Sequence, residues 1–126
     1  MKTIRTTGTI SDTIELVNSN DEKLTIKFQF LPSVMLLKQY RNLQLELLES
    51  QKEGNDVDPS KVGNLVIKLF STIFGADNTD KIVDFYKNRF EFMALDLYPY
   101  IQDEIIPKCQ AMTKEVMRNH RKIFKK

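Results

Sequence analysis

One histidine and one cysteine occur in the 126 residues, and they bound the chemistry open to this chain. His120 sits in Arg118-Asn119-His120-Arg121, with no carboxylate beside it to set its tautomer; Cys109 lies between Lys108 and Gln110. A Cys/His zinc site, a disulfide framework and a Cys-Cys redox pair all need more of these residues than the chain has. A Ser-His-Asp or Cys-His device would have to run on His120 alone. Cys109 reads instead as a small apolar packing residue, since a buried thiol is inert. Carboxylates group as Asp77, Asp80 and Asp84 and as Asp103 and Glu104. Neither set resembles a twelve-residue calcium loop, and acids near a helix N-terminus need no metal to account for them. The four glycines are scattered singly, so there is no phosphate-cradling loop. The expectation is a protein without catalytic, metal or cofactor residues, whose surfaces do the work.

Two surfaces stand out. The formal charge of +2 is unevenly spread: residues 114–126 hold six bases and one acid, a net of +5, which leaves −3 for residues 1–113. Lys114, Arg118 and Arg121 fall at helical offsets 0, 4 and 7, with Lys122 beside them, so one side of a terminal helix could meet phosphates. The simpler reading is a solvated or partner-facing helix, because Phe124 is the one aromatic nearby and single-strand binding needs stacking platforms. The second surface is aromatic. Phe85, Tyr86, Phe90, Phe92, Tyr98 and Tyr100 crowd into sixteen residues. Phe85, Tyr86 and Phe90 fit a core stripe, whereas Phe92, Tyr98 and Tyr100 are candidates for a partner surface, where aromatics are enriched.

The elements that must position these residues follow from periodicity. Lys23 to Phe30 alternates throughout, with Leu24, Ile26, Phe28 and Phe30 on one face, and predicts a half-buried strand. Thr13 to Val17 alternates likewise, and Asn18-Ser19-Asn20-Asp21-Glu22 between them is turn chemistry, so 13–30 predicts an antiparallel hairpin. Residues 3–10 could add a third strand or an irregular arm. Pro32 suits a first helical turn, and a helix over about 32–51 would put Val34, Leu37, Tyr40 and Leu48 on its inner face, flanked by Leu36, Leu43 and Leu47. The segment 53–57 reads as a solvated loop. Asp58 and Pro59 then signal N-cap and N1, Val62 to Phe74 carries a core-facing stripe, and Gly75 stops it. Asn78 or Thr79 is the expected cap of a helix over 79–98. Pro99 and Pro107 predict a kink or break near 97–99, a short helix over 100–106 and another kink or break near 106–107.

The whole predicts an α+β chain, predominantly α-helical: an N-terminal β-hairpin and four or five helices. Residues 1–113 would form one domain and 108–126 a basic C-terminal helix or tail. No apolar run is long enough for a secretory leader or a bilayer span, so no membrane partner is expected.

This order of elements resembles the tail assembly chaperones of long-tailed (siphovirus-type) bacteriophages. The resemblance covers about residues 13–105 and is most specific at Lys68-Leu69-Phe70-Ser71-Thr72-Ile73-Phe74-Gly75-Ala76-Asp77-Asn78-Thr79-Asp80-Lys81-Ile82, a helix ending in Phe-Gly, a polar turn and a new helix. The family commonly has a Gly-containing break after the counterpart of Ile82, whereas Val83 to Lys87 here continues a helical pattern. The resemblance implies a non-enzymatic protein that binds tape measure and tail tube proteins in the cytoplasm of the bacterial host and is absent from the mature virion. Members are often made in two lengths by frameshifting. A small nucleic-acid-binding or regulatory protein using the basic end is the alternative, and self-association is open to both.

Overall fold

The computed structural model describes residues 1–5, 8–50 and 59–124, with side chains over 1–5, 8–49, 60–115 and 118. The predicted Asp58 cap, the 53–57 loop, the side chains of His120, Arg121, Lys122 and Phe124, and residues 125–126 lie outside these.

The alternating segments pair as expected, and further than expected. Strands β1 (Ile10–Val17) and β2 (Lys23–Phe30) form an antiparallel ladder from Ile10↔Phe30 to Val17↔Lys23. The turn is organised by Asn18, whose Oδ1 accepts the N–H groups of Asn20 and Glu22, each at 3.0 Å, while Asp21 takes a left-handed φ of 61°. Side-chain-to-backbone bonds of this kind are why Asn favours turns. Ile26, Phe28 and Phe30 are buried on one face with Ile10 opposite. Residues 3–5, 8 and 9 form no strand, so no third strand is added among the described residues.

Helix α1 (Val34–Ser50) begins later than Pro32, because Ser33 caps it: the Leu36 N–H donates to Ser33 Oγ at 3.1 Å. Its buried face is Leu36, Tyr40 and Leu43, with Leu37 and Leu47 half-buried; Val34 and Leu48, expected inside, are exposed. The expected stripe was rotated by about one residue toward the outside. Helix α2 (Pro59–Phe74) is the centre of the molecule and touches α1, β2 and the two helices that follow. Val62, Val66, Leu69, Phe70 and Ile73 are fully buried and Phe74 nearly so, as the stripe predicts. An edge-on contact at 4.8 Å from Phe28 to Phe74 seats the hairpin on it, and Phe74 is itself held edge-on by Phe70 of the same helix at 5.4 Å. Each buried Phe contributes roughly 1.5–3 kcal/mol by removal of apolar surface from water.

Gly75 stops α2 with φ +86°, and α3 (Ala76–Phe85) starts directly after it. Asn78 and Thr79 therefore lie inside α3 rather than capping it. The Asn78 amide donates to the carbonyls of Phe74 and Lys27, and buried Thr79 donates Oγ1–H to the Gly75 carbonyl at 2.7 Å.

The expected helix over 79–98 is two helices. Lys87 and Asn88 are both left-handed, with φ 53° and 64°, and Asn88 N–H reaches back to the Val83 carbonyl at 3.1 Å. Asn tolerates this conformation at low cost, so the chain turns without a glycine. The break lets α4 (Phe90–Tyr100) pack on α2, where a Cβ on Gly63 would stand 3.1 Å from the Phe90 ring.

The chain breaks at neither proline, and the irregularity before Pro107 is a π-helical turn. From Phe90 the chain is helical without interruption: α4, a π-helical turn over Ile101–Ile105, then α5 (Ile106–Phe124). Ile106, which precedes Pro107, keeps right-handed helical angles and donates its N–H to the Ile101 carbonyl, five residues back. The wider turn gives room for the Pro107 ring, which in an α-helix would strike the carbonyl four residues earlier. It also brings the adjacent Ile105 and Ile106 inward together with Ile101 and Cys109. Pro99 is held inside α4 by burial of Met93, Ala94 and Leu97 on the same helix.

Gly75 has open space around its missing Cβ, so its constraint is purely one of backbone angle. Gly75→Ala is expected to cost about 2 kcal/mol in urea denaturation through strain at positive φ. Gly8→Ala, also in open space but with no left-handed angle, should stay within about 0.5 kcal/mol.

Candidate functional site

Besides Val34 and Met35 at the start of α1, four large apolar side chains of α1 and α4 point away from the core: Leu45 is 49% exposed, Leu48 51%, Phe92 46% and Leu95 54%. Each pair is three residues apart, which places its members on one strip of helix surface. Between the helices, Leu47, Leu48, Leu95 and Pro99 wall a groove of about 230 Å³, with Gln44 and Tyr98 as its polar members. Leu36, Tyr40 and Leu43 on one helix and Met93, Ala94 and Leu97 on the other turn inward and fix which residues remain outside.

The groove is rigidly backed. Tyr40 and Tyr98 stack at 5.6 Å, the Tyr40 hydroxyl donates to Tyr98 Oη at 3.0 Å, and Gln44 Nε2 donates to the same oxygen at 3.1 Å. Burial, then the bond to Tyr98, pushes the Tyr40 hydroxyl well above its ordinary pKa, so it stays a neutral donor. At the groove wall, Pro99 lacks the N–H that would ordinarily bond the Leu95 carbonyl.

A wider, more polar hollow of about 430 Å³ shares Gln44 and continues along α1 to Arg41, Gln102 and Gln110. A third hollow of about 510 Å³ lies over the hairpin at Asp12, Thr13, Lys27 and Gln29. Among the described residues no three His, Cys, Asp or Glu side chains come together to hold a metal ion. Cys109 is fully buried, its thiol donating to the Ser33 carbonyl at 3.5 Å, and burial pushes its pKa up. None of the described helices is long and apolar enough to cross a membrane.

The residues singled out from sequence separate into three places. Phe92 is exposed one turn before Leu95, with the Arg89 guanidinium 5.3 Å from its ring centre, and Tyr98 lines the groove. Tyr100, half-buried, faces the hairpin and donates its hydroxyl to Asp12 Oδ2 at 2.7 Å. Lys114 and Arg118 are exposed on α5, Arg118 paired with Glu115; positions 121 and 122 lie on the same helix. Leu48, Leu95 and Pro99 were missed as site residues. The available signal was a surplus of apolar residues: α1 and α4 each carry more than one core-facing stripe can use. Asp12 was missed because the hairpin was started at Thr13. Its place in the alternation, two residues from Ile10 and from Ile14, puts it on the inward face opposite Phe28.

No protein-family model, curated protein or solved structure matches the chain.

The Tyr100–Asp12 bond ties the hairpin to α4 and has a pH signature. The Tyr100 hydroxyl, then the Thr13 N–H, holds the Asp12 carboxyl below its ordinary value of 3.8. A lowered folded-state pKa means that the contribution is complete above that ordinary value and is lost as pH falls through the lowered one. Tyr100→Phe should cost about 1 kcal/mol at pH 7. In urea titrations the difference between the two proteins should shrink below about pH 4 as Asp12 protonates.

Proposed function

We propose that this chain is a non-enzymatic bacteriophage tail assembly chaperone that binds tape measure and tail tube proteins in the host cytoplasm and leaves before the virion is complete. The observation that carries the binding role is the α1–α4 groove, beside which Leu45, Leu48, Phe92 and Leu95 stay exposed while Leu36, Tyr40, Leu43, Met93, Ala94 and Leu97 of the same helices are buried. Outward apolar pairs flanking a groove are what a partner helix needs, and helix-in-groove docking reads such pairs as anchors. The phage identity rests on the resemblance. What supports it is the order hairpin, α1, α2 closing in Ile73-Phe74-Gly75 and α3, although the polar residues 77–79 expected as a turn form the first turn of α3 instead. One departure from the family stands: α3 continues through Val83, Asp84 and Phe85, and the chain turns only at Lys87 and Asn88, without a glycine.

Nucleic-acid binding through the basic end is the second reading. One observation favours it: α5 stays helical to Phe124, so positions 114, 118 and 121 recur along a single helix. The pairing of Arg118 with Glu115 works against it.

Coexpression with the tape measure protein encoded beside this chain tests the first reading. The tape measure protein should be several-fold more soluble with the chain than without it. Equal solubility, together with binding of the chain to DNA or RNA that weakens steeply with salt, would replace it with the second.

A further inference from the structure

The hairpin has two outer edges, and the fold treats them differently. At the turn, the Asn18 N–H donates to the Glu22 carbonyl at 3.0 Å, and these two residues continue the register of the ladder. Bonded and non-bonded pairs alternate in an antiparallel ladder, so Leu16↔Leu24, Ile14↔Ile26, Asp12↔Phe28 and Ile10↔Phe30 are the bonded ones. The backbone groups of Ser11, Thr13, Glu15 and Val17 therefore point out along the edge of β1, and those of Lys23, Thr25, Lys27 and Gln29 along that of β2. The β2 edge is guarded. Asn78 of α3 donates to the Lys27 carbonyl at 3.0 Å, and the side chains of Lys23 and Lys27 stand exposed there. The β1 edge has neither device: it runs for eight residues, paired throughout without a bulge, and carries no Lys or Pro. One group on it is taken. The Thr13 N–H donates to Asp12 Oδ1 at 2.8 Å, while Asp12 Oδ2 accepts the Tyr100 hydroxyl at 2.7 Å.

We propose that the β1 edge is a surface for β1 of a second copy of this chain, and that Asp12 holds it shut by occupying the Thr13 N–H. The strand is self-complementary about a two-fold axis at Ile14. Thr13 then lies opposite Glu15, Ser11 opposite Val17 and Ile14 opposite Ile14, which uses all four outward residues and sets no like charges against each other. In that register the Thr13 N–H would donate to the Glu15 carbonyl of the incoming strand. Asp12 Oδ1 stands where that carbonyl oxygen would go, so the newcomer loses a donor and meets a negative charge. What remains of the edge is Ser11 on one side and Glu15 and Val17 on the other, too little backbone to offset the cost of association. Tyr100, on the last turn of α4, keeps the carboxylate in place by its second oxygen. The edge and its guard stand whether or not the chain is a chaperone.

The test is sedimentation equilibrium of the full chain, with amide hydrogen exchange as a second measurement. The unaltered chain and Asp12→Asn, which keeps an acceptor for the Thr13 N–H, should share one state of association. Asp12→Ala should self-associate at least about tenfold more tightly than either, with an unchanged circular dichroism spectrum. Adding Glu15→Pro removes an outward N–H that β2 does not use, and should abolish the extra association. In the unaltered chain the Thr13 N–H should exchange at least about fivefold more slowly than those of Glu15 and Val17, after correction for their unfolded-chain rates. Association of Asp12→Ala no tighter than that of the unaltered chain overturns the proposal, as does extra association that survives Glu15→Pro. So does an unaltered dimer whose Glu15 and Val17 N–H groups are protected, because the edge is then not shut. If Asp12→Ala does not fold, exchange in the unaltered chain decides: a slower Thr13 N–H upholds the guard, and equal rates remove it.

Discussion

The apolar stripe of α2 is the constraint on which the other elements depend. It meets α1, α3, α4 and β2, and is the one helix that all of these share as a neighbour. A two-stranded hairpin is marginal alone in water, and here Phe28 buries its ring against Phe74 at the end of α2, with Phe30 buried and stacked beside it. The same end carries Gly75, so the turn that sends α3 back and the contact that seats the hairpin occupy one short stretch. Asn78 joins them by bonding the Phe74 and Lys27 carbonyls together.

What was legible in the sequence tracks how far each element's neighbours lie within its own pattern. The α2 helix was read correctly from its stripe and its glycine stop because its burial is one-sided and nearly complete. The inner face of β2 was read for the same reason. The α1 face was misjudged because Val34, Leu36, Leu37, Leu43, Leu45, Leu47 and Leu48 surround most of the helix, and composition alone cannot say which of them meet α2. The turn at Lys87 and Asn88 was invisible to periodicity because apolar residues continue on both sides of it. It shows as two left-handed angles in residues that carry side chains. The prolines misled in the opposite direction: Pro99 and Pro107 signal local breaks, but the burial of Met93, Leu97, Ile101, Ile105 and Ile106 outweighs a local cost of about 3 kcal/mol for a helical proline.

The candidate site was half-legible. Phe92 and Tyr98 were singled out by their density among aromatics, and they do lie at or beside the groove. Tyr100 serves the fold through Asp12, and the basic residues stand on another helix. Leu48 and Leu95 were hidden because a leucine on an apolar-rich helix looks the same inside or outside. Their exposure is a property of the packing, in which Tyr40 and Tyr98 stack between the two helices and leave Leu48 and Leu95 outside.

The π turn at Ile101–Ile105 also sets the angular phase between the two halves of the long rod. One residue more or less in a helix turns everything beyond it by about 100° while barely changing its length. The direction in which α5 presents its charges is therefore decided by five residues near the core rather than by α5 itself. A single insertion there would re-aim the basic end like a vane, and the buried Ile106 and Cys109 at the start of α5 are what resist it.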